Sequence, residues 1–396
     1  MEKQLKTSDR LLSLDVMRGA TILAMILVNN PGSWGHMYWP LAHAPWHGWT
    51  PTDLIFPFFV YMVGVSMAYS FRKFEGNDHS RNDALLRVLK RTAILILLGL
   101  VLATSGQWLG IALGRTTSIS LSETRFPGVL QRIALAYLGA SIIVLYCGPK
   151  LRLAFAAILL FGYAALLWFT PTNVPFADRV TPGGNIVRVV DLAVLGPNHM
   201  YTQAKSELTD PEGLLSTLPS IVTALIGYAV GRYLQRDGDL RNKILPLFVV
   251  GLSMAALGQL WHWLDPALGG MPINKKLWTS SFVLLTGGLG TATLAVCLLV
   301  FDVLGAQSTP LRRVATAFQV VGVNAIFVFV ASGVFARLLS MIKLGESNVK
   351  DQFYQTVFAG PLGDGNLASL GFALTNVAFW WFVLWIMWKR DLSIRV

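Results

Sequence analysis

The sequence predicts an all-α, polytopic membrane protein of about ten transmembrane helices with both termini cytoplasmic. Three observations carry this expectation. Of 396 residues, 54% are hydrophobic and 13% charged, and the mean hydropathy is +0.55, far from a soluble globular composition. Apolar runs of nearly 20 residues recur, about the length that crosses roughly 30 Å of hydrocarbon with every backbone amide bonded inside a helix. Basic residues cluster in alternate connections, and one side collects 21 of the 32 Lys and Arg residues, which marks it as cytoplasmic.

The spans follow in order. The first, 14–30, comes after MEKQLKTSDRLLSLDVMRG, which shows no small-residue cleavage site and reads as retained. Asp15 and Arg18 lie three apart at its inner end and can pair there, while Asn29 and Asn30 close its outer end. The second, 53–71, opens on Thr50-Pro51-Thr52-Asp53, with a cap, a proline at the first helical position and an acid three residues after the cap. The third is 89–105. The fourth, 128–146, follows the RFPGV break and places Gln131 and Arg132 one turn inside. The fifth is 151–169. The sixth, 214–234, is preceded by Asp210 as cap, Pro211, and Glu212 as a first-turn acid. The remaining spans are 244–263, 279–303 (after Asn274 and Lys275), 315–339 (containing Asn324) and 368–388. The longest outer connections cover 31–52, 170–213 and 340–367, none long enough for a soluble domain, so residues 1–396 read as one membrane domain.

Several classes are excluded. The net charge of +11 is mostly a topology signal, without a basic stripe or nucleic-acid module, and no nucleic acid is expected as a partner. Two cysteines, Cys147 and Cys297, are too few for a disulfide framework or a thiolate metal site.

Chemistry gathers in the first outer connection, VNNPGSWGHMYWPLAHAPWHGWTPTD. It holds His36, His43 and His47, four tryptophans (Trp34, Trp39, Trp46, Trp49) and no Lys or Arg. The tryptophans fit an interfacial aromatic belt, or a platform on which a sugar ring stacks. His43 and His47 have i, i+4 spacing and could bind a metal with Asp53, but Pro45 interrupts the helix this requires, and no metal is expected. A single imidazole remains able to take up a proton at neutral pH. For Asp53 and Glu212, helix capping competes with orienting a histidine or receiving an amine. Buried polar groups at membrane depth usually face a bundle interior or a wet cavity, which makes Gln131, Arg132, Asn274, Lys275 and Asn324 binding candidates.

The segments RLLSLDVMRGATILAMILVN, HAPWHGWTPTDLIFPFFVYMVG, RFPGVLQRIALAY, DPEGLLSTLPSIV, INKKLW and GVNAIFVF resemble, in order and over nearly the whole chain, the heparan-α-glucosaminide N-acetyltransferase family of membrane acetyltransferases and its bacterial relatives. The resemblance implies transfer of acetyl from cytosolic acetyl-CoA, as cosubstrate, to the amine of a glucosamine-like acceptor on the far side of the bilayer. His43 of the His-Ala-x-Trp element is implied as base or acetyl carrier and Asn29 as a second active-site group; Asp53 is the third catalytic candidate, from its own position at the helix mouth. Gln131, Arg132, Glu212, Asn274, Lys275, Trp278, Asn324 and Trp46 are the binding candidates. A homodimer is implied as well. Relative to the lysosomal members, the sequence lacks a lumenal N-terminal domain and an extra first helix, which points to a multi-pass protein of the bacterial inner membrane. Its Asn29-to-His43 spacing is also longer. A secondary transporter of sugars or amino sugars would use the same buried polar groups without thioester chemistry, and a membrane hydrolase would need a metal on His43, His47 and Asp53.

Overall fold

The computed structural model describes residues 11–74, 78–170, 174–201 and 209–394. It is all-α, apart from one two-residue antiparallel pairing of Lys343–Leu344 with Ser347–Asn348. The principal helices are α1 (Leu12–Asn29), α2 (Ile55–Phe71, entered through a 3-10 turn Pro51–Leu54), α3 (Asp78–Ala112), α4 (Val129–Tyr146) and α5 (Pro149–Phe169, with a π turn at Ile158–Gly162). They continue with α6 (Ile186–Leu195), α7 (Thr217–Leu234), α8 (Leu240–Trp263), α9 (Ser280–Cys297, running on to Gln307), α10 (Thr309–Gly322), α11 (Ala325–Met341) and α12 (Asn366–Lys389).

Among the described residues, seven helices are long and apolar enough to cross a bilayer: α1, Pro51–Phe71, α4, α5, α8, Ser280–Gln307 and α12. Counting α10 and α11 together makes eight. The other two expected spans, 89–105 and 214–234, fall on α3 and α7, which are helical but outside that set.

The expected ninth span departs from the sequence reading. Instead of one helix over 315–339, the chain bends by 63° between α10 and α11. Gly322 sits against the Asp15 carbonyl of α1, where a Cβ would come within 2.6 Å. Two residues on, the Asn324 side chain accepts from Ile394 N at 2.8 Å and donates to Leu392 O at 3.2 Å. The Asn324 backbone leaves the helical region, at φ −111° and ψ 33°, and the helix restarts at Ala325.

Helices approach closely where small residues face each other. A Cβ on Gly64 of α2 would run into the Ala224 carbonyl of α7, and one on Gly227 of α7 into the Tyr61 carbonyl of α2. Such backbone-to-backbone packing suits helices that gain little from hydrophobic exclusion in lipid. It fixes α2 against α7, and therefore the two loops that lead into them.

Candidate active site

The entry to α2 builds the centre of the site. Pro51 and Thr52 start the 3-10 turn, and Asp53 Oδ2 reaches back to the backbone N–H of Thr50 at 3.1 Å, as the cap reading requires. The same oxygen accepts the N–H of Ala44 at 3.0 Å. Thr50 Oγ1 donates to Ala42 O at 2.6 Å and Thr52 Oγ1 to Pro40 O at 2.9 Å, so the loop is folded back over the helix mouth. Asp53 Oδ1 is left for chemistry. It lies 2.7 Å from His43 Nδ1 and 3.3 Å from Lys275 Nζ. The carboxylate is 1% exposed and the imidazole 49%, an arrangement that fixes the ring while leaving one edge open. With Nδ1–H directed at Asp53, Nε2 carries the lone pair, with Lys275 Nζ 3.5 Å from it.

Lys275 approaches His43 from a distant loop, with Nζ 3.1 Å from Nδ1. That loop is rigid. Asn274 Oδ1 accepts from Leu277 N at 2.9 Å, its Nδ2 donates to Trp46 O at 2.9 Å, and its own N–H goes to Thr279 Oγ1 at 3.0 Å. Trp278 adopts φ 51°, a left-handed conformation costly for a bulky residue. Its fully buried indole compensates by packing edge-on against Phe56 and Phe282, with the Arg132 guanidinium over the ring at 5.1 Å. Burial lowers the Lys275 pKa from the ordinary lysine range, while Asp53 and then Glu212 pull it back upward.

His43, Asn29, Glu212 and Lys275 line one cavity of about 220 Å³. Asn29 is exposed at the last turn of α1. The deeper walls are apolar: Ile22 and Met25 of α1, Ile55, Phe56 and Phe59 of α2, Leu130 and Ile133 of α4, and Ala325, Ile326 and Phe329 of α11. The chamber is therefore polar at the His43 end and greasy below it.

Glu212 comes from the turn before α7. Its Oε2 accepts from Arg125 Nη2, and Arg125 also binds both oxygens of Asp210, at 2.6 and 3.2 Å. Arg132 is fully buried and donates from Nη2 to Gly213 O at 2.8 Å and to Ser216 Oγ. Asp191 of α6 takes the N–H groups of Leu214 and Leu215 on Oδ1, at 3.0 and 3.2 Å. The sequence expectation made Asp210 the cap, Pro211 the first helical residue and Glu212 a first-turn acid, with the span running from 214. The helix starts at Thr217 instead, because Asp191 supplies the acceptor for the leading amides while Asp210 is occupied by Arg125, by the Tyr201 N–H at 2.7 Å and by the Glu212 N–H at 2.9 Å. Arg125 and Asp191 were not among the sequence candidates. Arg125 was signalled only as a lone cation beside the FPG break, and Asp191 not at all.

The structure thus gathers Asn29, His43, Asp53, Glu212 and Lys275. It does not bring the other candidates into the cavity wall. Trp46 turns away, donating Nε1–H to Val180 O at 2.8 Å within an outer apolar cluster. Trp278 and Arg132 stack behind the wall, Gln131 packs against Gly99 and Gly128, Asn274 organises its loop, and Asn324 ties down the chain terminus. His47 meets Asn274 Nδ2 at 3.4 Å, and burial, then His262, hold its pKa below the usual imidazole range. Among the described residues no group of three or more His, Cys, Asp or Glu could hold a metal.

Comparison with known proteins identifies the family. The family described as heparan-alpha-glucosaminide N-acetyltransferase, catalytic, matches residues 10–264, which include Asn29, His43, Asp53 and Glu212. The mouse heparan-alpha-glucosaminide N-acetyltransferase is 25% identical over 446 residues, covering 100% of this chain and 62% of the relative. The human protein of the same name is 28% identical over 371 residues, covering 82% of this chain and 53% of the relative. The chain therefore spans between about half and two thirds of the relatives' length. With well over half of its residues matched, this chain belongs to the heparan-alpha-glucosaminide N-acetyltransferase catalytic family.

Proposed function

We propose that this protein is a membrane-embedded N-acetyltransferase that moves acetyl from acetyl-CoA to the amine of a glucosamine-like sugar. The observation that carries the reading is the His43–Asp53 pair at 2.7 Å, placed at the mouth of a cavity shared with Asn29 and Lys275. Acetyl transfer to nitrogen needs a base for the amine proton and donors for the carbonyl oxygen as it becomes an oxyanion. His43 Nε2 takes the proton, and Asp53 stabilises the resulting imidazolium. Asn29 offers its side-chain amide to the thioester carbonyl, and Lys275 adds positive charge on the same side. The apolar depth suits the uncharged stem of an acyl thioester.

The same imidazole could instead carry the acetyl group. In that case CoA is released in stoichiometric amount before an acceptor is added. As a base it releases CoA only when an amine is present. Incubating purified protein with acetyl-CoA and a panel of amino sugars, and following CoA release, tests both routes. Release that no amine elicits or accelerates leaves a transporter as the better account.

The basic asymmetry supports acetyl-CoA arriving from the cytoplasm and the acceptor from the periplasmic side of a bacterial inner membrane. A cysteine at Gly35, on the exposed His43 side, should react with an impermeant maleimide outside intact cells, whereas one at Asp237 should not. The reverse pattern overturns the sidedness.

A further inference from the structure

One carboxylate at the site shares its ion-pair partner with another. Arg125 serves two carboxylates at once, Asp210 and Glu212, so that trio carries one negative charge in surplus. Lys275 and Arg132 offset it from a distance, while their close contacts lie elsewhere. Lys275 is 3.3 Å from Asp53, and the Arg132 contacts run to Gly213 O, Ser216 Oγ and the Trp278 ring. Of the trio's two acids it is Glu212 that faces the chamber, sharing its wall with His43. Its side chain is 11% exposed, and among the described residues its carboxylate binds Arg125 through Oε2. A carboxylate in such a place, half neutralised and screened from bulk water, recognises a small cation with N–H donors.

We infer that Glu212 is the receptor for the acceptor's amino group in its ammonium form, so that the site selects primary ammonium acceptors over neutral hydroxyl or amide analogues. This rests on the N-acetyltransferase reading above. The steps balance without another reactant. The ammonium docks with one N–H on Glu212 and passes a proton from another to His43 Nε2. The freed lone pair attacks the thioester carbonyl carbon to form the C–N bond. The C–S bond then breaks, the sulfur takes the second proton lost from nitrogen, and His43 gives its proton to water. One ammonium and one thioester become one amide, one thiol and one proton.

The full-length chain in detergent gives the test. Glu212→Gln should raise KM for glucosamine by about 10-fold or more, the value of one charge-assisted hydrogen bond, with kcat within about 3-fold. Inhibition by N-acetylglucosamine, which has no ammonium, should stay unchanged, as should KM for acetyl-CoA. Glu212→Asp, which keeps the charge but withdraws it, should show a smaller rise of the same selective kind, and it serves alone if the glutamine variant does not fold. A wild type that acetylates glucosamine while both variants keep its KM overturns the inference and leaves the function standing. Equal weakening of glucosamine and N-acetylglucosamine also overturns it, since Glu212 would then only hold the turn together. A wild type that acetylates no amine removes the function itself and the inference with it.

Discussion

Two helix mouths in this protein are spelled almost alike, and they use their acids differently. Thr50-Pro51-Thr52-Asp53 leads into α2, and Asp210-Pro211-Glu212-Gly213 leads toward α7. At the first, one carboxylate does two jobs: Asp53 Oδ2 caps the turn while Oδ1 holds His43 and Lys275. At the second the jobs are split three ways. Asp191 receives the leading amides, Asp210 binds Arg125 and two backbone N–H groups, and Glu212 is left facing the cavity. A cap motif therefore fixes where an acid sits and leaves open what its second oxygen does. Capping and catalysis are not alternatives, because a carboxylate has lone pairs for both.

The largest effect should come from the group that both mouths face. Replacing His43 by alanine should cut transfer by about 10²-fold or more while leaving acetyl-CoA binding near normal, as the ring is half exposed and contributes little to packing. His47→Ala, whose ring meets Asn274 outside the cavity wall, should cost far less. Equal losses in both would return the two histidines to a shared role.

Asp53→Asn sharpens the comparison. An amide still offers oxygen to Thr50 and Ala44, so stability should fall by only about 1 kcal/mol. Turnover should fall more than about 10-fold, because a neutral partner cannot stabilise the imidazolium. Near-normal turnover would show that the first mouth is only a cap, and the contrast with Glu212 would vanish.

How much of this was legible beforehand depended on range. Composition and apolar run length give the helices, since the bilayer imposes one length scale on every span. Local grammar located Asp53, because cap and acid lie within four residues. The convergence of Lys275 on His43, 232 positions apart in the chain, has no local signal. The tryptophans show the same limit. Trp46 reads as a sugar platform and Trp278 as a binding residue, yet irregular loops have no periodicity to reveal side-chain direction, and both go into packing. The bend at Gly322–Asn324 has no proline to announce it, and the contacts made there, with Asp15, Leu392 and Ile394, come from the two far ends of the sequence.

The second mouth can be broken at its backbone. A Cβ on Gly213 would overlap Asp191 Oδ2, and the Gly213 carbonyl also receives Arg132. Gly213→Ala should therefore cost about 3 kcal/mol, as overpacking against a buried polar group does. The thermal midpoint in detergent measures it. If Asp191→Ser is added and the midpoint recovers, the overlap is with that carboxylate; if not, the glycine is needed for another reason.

The last effect is a pH dependence between pH 4 and 7 that belongs to the second mouth, because the Asp53 carboxylate of the first, held between His43 and Lys275, stays ionised there. Burial raises the Asp191 pKa from 3.8 to about 6, opposed by the N–H of Leu215, while Oδ2 finds no hydrogen-bond partner. As pH rises past 3.8 an unfolded chain gives up this proton first, and the folded protein keeps it until about 6. Over that window the folded state binds more protons, so stability declines as pH rises and levels off above it. At roughly 1.4 kcal/mol per unit the decline has a ceiling of about 3 kcal/mol. The measurement is the thermal midpoint between pH 4 and 7, compared with Asp191→Asn, which keeps an acceptor for Leu214 and Leu215 but cannot ionise. The variant should lose the part of the decline that belongs to this carboxylate. An unchanged slope in the variant would mean that Asp191 ionises as freely in the fold as outside it, and that the second mouth holds its charge as comfortably as the first.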